Sequence, residues 1–137
     1  MKRLTEILQD NEFYNRHRID EMAQISRPSD GLPRNAEVWV YGEGDEQGTK
    51  NPHIHIKIDN GKIEFEVDIK SIKELNIWRT KRNYPKSWDG LTKVKKAIIE
   101  WLDKPHRKIN SITNAQYIVL MWNDNNPSNE IDDDFYL

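Results

Sequence analysis

Residues 53–69 carry the feature that most constrains the fold, two alternating segments separated by a short polar turn. Residues 53–58 (HIHIKI) and 62–69 (KIEFEVDI) both alternate apolar and polar positions, and Asn60-Gly61 lies between them. An Asn-Gly pair between alternating segments favours a two-residue type I′ turn, because both central residues of that turn need positive φ. We therefore expect a β-hairpin whose loop is Asn60-Gly61.

This loop fixes the register of the hairpin, since each residue before it then has one partner after it. On one face the expected pairs are Ile58–Ile63, Ile56–Phe65 and Ile54–Val67. On the other face they are Asp59–Lys62, Lys57–Glu64, His55–Glu66 and His53–Asp68. The hairpin is thus predicted to have one apolar face and one face of complementary polar groups.

The remaining elements indicate an α+β fold. Two apolar stripes predict helices, one over 91–102 that is capped by Ser87 or Asp89 and ended by Pro105, and a buried one over 113–122. Together with the hairpin they define one domain, residues 37–124, in which helices pack on one face of a small antiparallel meander. The predicted strands are residues 37–41, 53–58, 62–69 and 72–78.

The two ends of the chain have a different composition from this domain. Residues 1–27 show imperfect helical spacing and predict an N-terminal helical extension. Residues 125–137 are rich in Asn and Asp and predict a disordered acidic tail. Within it, residues 129–137 combine acids with a closing Phe-Tyr-Leu, which resembles in composition the partner-recruiting tails of single-strand DNA-binding proteins. We expect either a protein partner there or a plain solvated end.

Composition excludes several classes of chemistry. The chain of 137 residues has no cysteine, which removes disulfides, thiolate nucleophiles and iron–sulfur clusters. It has no run of about 18 apolar residues, and an acid follows closely on the N-terminus, so we expect no membrane segment, no signal peptide and a cytoplasmic location. Histidine, carboxylate, lysine, tyrosine and hydroxyl groups remain for any reaction.

Charge is strongly segregated although the net charge is only -2. Residues 37–68 hold eight acids and three lysines, whereas residues 79–108 hold ten basic residues and three acids. We call residues 78–88 the basic-aromatic segment, because cations and aromatics alternate there as they do on surfaces that bind phosphates and stack bases. The alternative is that its tryptophans anchor the core and its cations are solvated. The candidate ligand-binding residues are Trp78, Arg79, Lys81, Arg82, Tyr84, Lys86 and Trp88.

The histidine pair supports three interpretations, because His53 and His55 lie two residues apart and point to the same side of a strand. With Glu66 or Asp68 they form the ligand set of a catalytic zinc site or a facial-triad iron site, so a divalent metal is one candidate cofactor. They are also candidates for phosphoester chemistry. The third interpretation is a solvated face of cross-strand ion pairs.

The phosphoester interpretation rests on two limited resemblances. A His-apolar-His strand is similar to that of single-strand nickases, which use a metal and a tyrosine nucleophile, and Tyr117 is the helical candidate here. The same strand is similar to the one in histidine-triad nucleotide hydrolases, but Lys57 stands where those enzymes have a third histidine.

The order of these motifs resembles a small bacterial family catalogued as domain of unknown function 4160. The motifs are a Pro52-His53-Ile-His55 strand, a strand ending in Asp68, a helix with Glu100-Trp101 and a last helix closing at Trp122-Asn123. The resemblance covers about residues 37–124, and the N-terminal extension and the longer basic stretch depart from it. It implies a compact α+β fold among toxin–antitoxin or phage-related genes, and no reaction.

Three functions therefore remain after sequence analysis. The leading hypothesis is a small bacterial or phage accessory protein that binds a phosphate-bearing ligand, nucleic acid or nucleotide, through the basic-aromatic segment. The second is a metal-dependent phosphodiesterase that uses His53 and His55 with Asp68 or Glu66. The third is an antitoxin or inhibitor that acts through its tail and exposed sheet. The sequence leaves open whether the protein is an enzyme and favours a binding function.

Overall fold

The computed structural model describes residues 22–42, 51–80, 84–127 and 129–132, and these form an α+β fold. Five antiparallel strands pair in chain order, so the sheet is a meander. The strands are β1 (Met22–Gln24), β2 (Glu37–Tyr41), β3 (His53–Ile58), β4 (Ile63–Asp68) and β5 (Ile77–Arg79), and the helices are α1 (Thr92–Leu102) and α2 (Asn114–Asn125).

The β3–β4 hairpin has the predicted register from His53–Asp68 to Ile58–Ile63. Asn60 and Gly61 both have positive φ, as a type I′ turn requires, and the Lys62 N–H donates to the Asp59 carbonyl at 3.3 Å. One expected pair is wrong: the Asp59 carboxylate binds Arg34 rather than Lys62. The Asp59 N–H also donates to the Arg34 carbonyl, so the loop is attached to the segment that precedes β2.

The apolar face of the hairpin is the centre of the core. Ile54, Ile56, Phe65 and Val67 are fully buried, and each such side chain contributes about 1.5–3 kcal/mol relative to exposure. The two helices supply the opposing layer with the buried residues Val94, Ile98, Leu102, Ile118, Val119 and Met121. Both predicted helices are confirmed, and α2 also reaches the polar side of the hairpin, because its Trp122 ring lies 5.5 Å from His53.

The strand predicted over 72–78 is largely wrong. Residues Ile69–Glu74 form 3₁₀ turns, and only Ile77–Arg79 pairs with β4. The cause is local, because the Asp68 carboxylate accepts the Lys70 N–H and starts a turn where β4 ends.

The start of α1 differs from the predicted one, whereas α2 starts where it was predicted to start. Leu91 is the N-cap of α1 and has no side-chain cap, while the Ser87 hydroxyl accepts the Asp89 N–H instead. Helix α2 begins after Thr113, whose hydroxyl accepts the Gln116 N–H in a capping box. Among the described residues no helix has the length and apolarity needed to cross a membrane.

Both ends of the described chain pack more closely than expected. Met22–Gln24 is a strand paired with β2, so the helix predicted over 1–27 is wrong there, and residues 1–21 lie outside the described residues. At the other end, disorder over 125–137 is contradicted at Ile131, which is 6% exposed and exchanges two hydrogen bonds with Asn123. The rest of the expected partner-binding tail, residues 133–137, lies outside the described residues.

Candidate metal centre

The polar face of the hairpin is buried at its two histidines and at Glu64 and Glu66, which contradicts the interpretation of a solvated ion-pair ladder there. His53 is 1% exposed, His55 0% and Glu66 1%. Burying this many ionisable groups is costly unless each is held by partners or by a metal ion. Water does not solvate these buried groups, so each of them needs a protein partner or a metal ion.

Three ligand atoms converge on this face. The Nε2 atoms of His53 and His55 lie 3.6 and 3.7 Å from Glu66 Oε1, and one ligand atom from each residue lies within 4.8 Å of the others. A tetrahedral zinc site with metal–ligand distances of about 2.1 Å has its ligand atoms about 3.4 Å apart. Two of the three distances are therefore close to those of a metal-bound set.

The other ring nitrogen of each histidine is fixed from outside this cluster. His53 Nδ1 donates to the Asn51 carbonyl at 2.8 Å, and His55 Nδ1 lies 2.7 Å from Glu64 Oε2. Such contacts fix the tautomer in which Nε2 carries the lone pair, and they are the usual outer contacts of metal-bound histidines. Glu64, which the sequence analysis placed opposite Lys57, is thus a residue of this site.

Arg79 holds the carboxylate of Glu66 in place. Its Nε and Nη2 atoms donate to Glu66 Oε2 and Oε1 at 2.6 and 2.7 Å, the two-bond geometry of strong arginine–carboxylate pairs. Burial raises the pKa of Glu66, but the hydrogen bonds from Arg79 and the charges of His55, Arg79 and His53 together hold it below the usual range. Glu66 is therefore an anion, held between Arg79 on one side and the two imidazoles on the other.

Two predicted site residues lie elsewhere. Asp68 stands opposite His53 in the register, yet its carboxylate accepts the Lys70 N–H and takes no part in the cluster. Tyr117 is 6% exposed and stacks on His106 at 3.9 Å between ring centroids. The tyrosine-nucleophile hypothesis is therefore unsupported, because Tyr117 belongs to another part of the molecule.

Aromatic rings enclose the histidines. Tyr41 stacks on His55 at 4.1 Å, and Trp78 and Trp122 lie 5.3 and 5.5 Å from His53. Tyr41 and Trp122 were not among the predicted site residues, although the alternation of β2 gave a signal for Tyr41 by placing it on the face opposite Val38 and Val40. Trp78 is the one large apolar side chain classed as exposed in the described part of the chain.

The basic-aromatic segment divides into three parts. Trp78 and Arg79 lie in β5 and reach the histidine cluster, so two of the predicted ligand-binding residues adjoin the candidate metal ligands. Trp88 is instead a core residue, 8% exposed, whose Nε1 donates to the Leu75 carbonyl. Tyr84 is half-buried and Lys86 is exposed, whereas Lys81 and Arg82 lie outside the described residues.

Comparison of the chain with family models, curated proteins and solved structures gives no match. The function of this chain is therefore inferred from its own geometry.

Proposed function

We propose that this protein binds a divalent transition-metal ion through His53, His55 and Glu66, and that it acts on the phosphoester of a nucleic acid or nucleotide. The observation that carries the proposal is the convergence of two Nε2 atoms and one carboxylate oxygen, at 3.6 and 3.7 Å, on a buried face. Two imidazoles and one carboxylate are the ligands of catalytic zinc sites, which keep a fourth position for water or substrate.

The residues around the three ligands support a metal more than a purely structural ion pair. A hydrogen bond from Arg79 uses one lone pair of Glu66 Oε1 and leaves another directed away from the guanidinium. The Nδ1 contacts of both histidines favour the tautomer that binds a metal.

The phosphoester part of the proposal rests on the neighbours of the cluster. A bound metal ion would polarise a phosphoryl oxygen and lower the pKa of a water molecule. Trp78, 37% exposed and tilted against His53, offers a ring for base stacking beside the metal ligands. Lys86 adds an exposed cation on the segment that follows β5, and exposed cations attract phosphates.

Titration of the apo protein with Zn²⁺, followed by calorimetry and elemental analysis, tests the metal site. We expect about one equivalent in the native chain and none in the variant His53→Gln/His55→Gln, which keeps most of the buried volume. His106→Asn is the matched control, because His106 is also buried but lies outside the cluster. Absence of stoichiometric binding in the native chain, or its persistence in the double variant, would overturn the metal site.

Hydrolysis is tested separately on the metal-loaded protein with single-stranded oligonucleotides and a cyclic nucleotide. We expect cleavage that disappears with a chelator and returns with metal. Zinc binding without cleavage of either substrate would overturn the catalytic part of the proposal and identify a structural metal.

A further inference from the structure

A second polar site lies at the opposite edge of the sheet. A cleft of about 240 Å³ is formed between the segment that follows β1 and the turn between α1 and α2. Arg107 Nη1 donates to the Ser29 hydroxyl at 2.7 Å and so links the two walls. None of the metal ligands lines this cleft.

The charge of the cleft is opposite to that of the chain. Its lining includes Asp30 and four cations, an excess of three positive charges in a protein of net charge -2; the cations are Arg27, Lys104, Arg107 and Lys108. Within the described residues none of these four forms an ion pair, and Asp30 accepts the backbone N–H of Arg27. Positive charge concentrated in a concave site attracts anions.

Buried donors line the same cleft. His106 is 7% exposed, and its Nδ1 accepts the N–H groups of Lys108 and Ile109, so the neutral ring carries its proton on Nε2. Trp101 is 4% exposed, and in the described part of the chain its Nε1 meets no acceptor. A buried indole N–H usually has a partner, so Trp101 is a sensitive reporter of changes in the wall of this cleft.

We propose that this cleft binds a terminal phosphate group, that of a phosphomonoester, through Arg27 and Arg107. A phosphomonoester carries about -1.5 to -2 charges at neutral pH, which suits the excess of cations. Arginine binds phosphate with paired hydrogen bonds. The volume is below the roughly 300–1,000 Å³ of clefts that enclose drug-sized ligands, so the phosphate end of a ligand fits while the rest extends into solvent.

Binding of inorganic phosphate to the full chain, measured by calorimetry at constant ionic strength with a chelator present, tests this site without a contribution from the metal centre. We expect saturable binding that is at least tenfold weaker in Arg27→Gln/Arg107→Gln. The matched control, Lys93→Gln/Lys96→Gln, removes the same charge from the exposed side of α1 and should bind as the native chain does. Equal affinity of the two double variants would overturn the proposal.

Two further readouts make the test specific. Phosphate should shift the indole N–H resonance of Trp101, which lines the cleft, in native protein and in the Lys93/Lys96 control, and an unchanged resonance on saturation would contradict binding in this cleft. An oligonucleotide with a 5′-phosphate should bind this cleft at least tenfold more tightly than the same oligonucleotide with a 5′-hydroxyl. Equal binding of the two would overturn the choice of a terminal phosphate over an internal diester.

Discussion

The two buried histidine sites of this protein differ in what surrounds the imidazoles. His55 lies between two carboxylates, with Nδ1 2.7 Å from Glu64 and Nε2 3.7 Å from Glu66. His106 instead accepts two backbone N–H groups at its Nδ1 and lines a cleft rich in cations. Burial is nearly the same, so the partners decide the chemistry: the first site suits a cation and the second an anion.

Buried histidines thus have opposite kinds of neighbours at two places in one small fold. On the sheet, alternation places carboxylates on neighbouring strands beside the imidazoles. At the helix connection, the backbone turns around His106 and supplies donors rather than acceptors. Substitutions that change the charge of one site should therefore leave ligand binding at the other unaltered.

The largest expected effect follows from Glu66→Gln, which removes the negative charge from the sheet site. The variant breaks the ion pair between Glu66 and Arg79, and breaking one side of a buried ion pair costs roughly 3–5 kcal/mol. We expect about 3 kcal/mol, the low end, because the Arg79 side chain is 45% exposed and can regain water. Equilibrium unfolding in urea measures this loss.

Asp68→Asn is the matched control for that variant. It makes the same change of charge two residues along β4, where the carboxylate only accepts the Lys70 N–H and asparagine can replace it. Its cost should stay below about 0.5 kcal/mol, as for a surface substitution. Equal losses in the two variants would show that charge at Glu66 has no special role in the fold.

The second effect is a loss of stability in acid that belongs to the cleft. Burial, with the charges of Arg27 and Arg107 acting against Asp30, lowers the pKa of His106 from 6.5 to about 4. A histidine whose pKa is lower in the folded state stabilises the fold fully above pH 6.5, and this contribution is lost as the pH falls towards 4. The loss amounts to about 3 kcal/mol at most.

His106→Asn separates this effect from the titration of the carboxylates. Asparagine keeps an acceptor near the position of Nδ1 for the Lys108 and Ile109 N–H groups but does not titrate in this range. Unfolding free energies measured from pH 7 to pH 4 should fall more steeply in the native protein than in the variant. Parallel curves would contradict the assigned pKa.

The sequence predicted the sheet site only in part. The turn and the alternation determine register over a few residues, so the pairing of β3 with β4 follows from short-range rules. Register names the residue directly opposite, and this is why Asp68 was expected beside His53. In the structure Glu66 lies opposite His55 and diagonally from His53, and its carboxylate reaches both imidazoles. Side-chain length and direction, rather than register alone, therefore decide which groups meet.

Some contacts in both sites join residues that are far apart in the sequence, and the local residue pattern gave no signal for them. Trp78 and Arg79 join the histidines because a 3₁₀ segment returns the chain to β4, and that return depends on a cap at Asp68. The cleft brings Ser29 and Arg107 together across 78 positions of sequence. Such contacts arise from packing of the whole domain, which residue patterns do not encode one segment at a time.

The smallest effect expected is on binding and concerns Trp78→Ala. The Trp78 ring adjoins His53 and is partly exposed, so its removal should weaken binding of a single-stranded oligonucleotide at the sheet site by about tenfold, near the lower limit for one base stacked on an aromatic ring. Trp78→Phe should keep most of the affinity, and fluorescence anisotropy with a labelled oligonucleotide measures both. Affinity of the cleft for inorganic phosphate should stay unchanged in Trp78→Ala, because this residue does not line it. If the substitution weakens phosphate binding as much as oligonucleotide binding, the two sites are coupled. The assignment of a cation to the sheet site and an anion to the cleft would then be wrong.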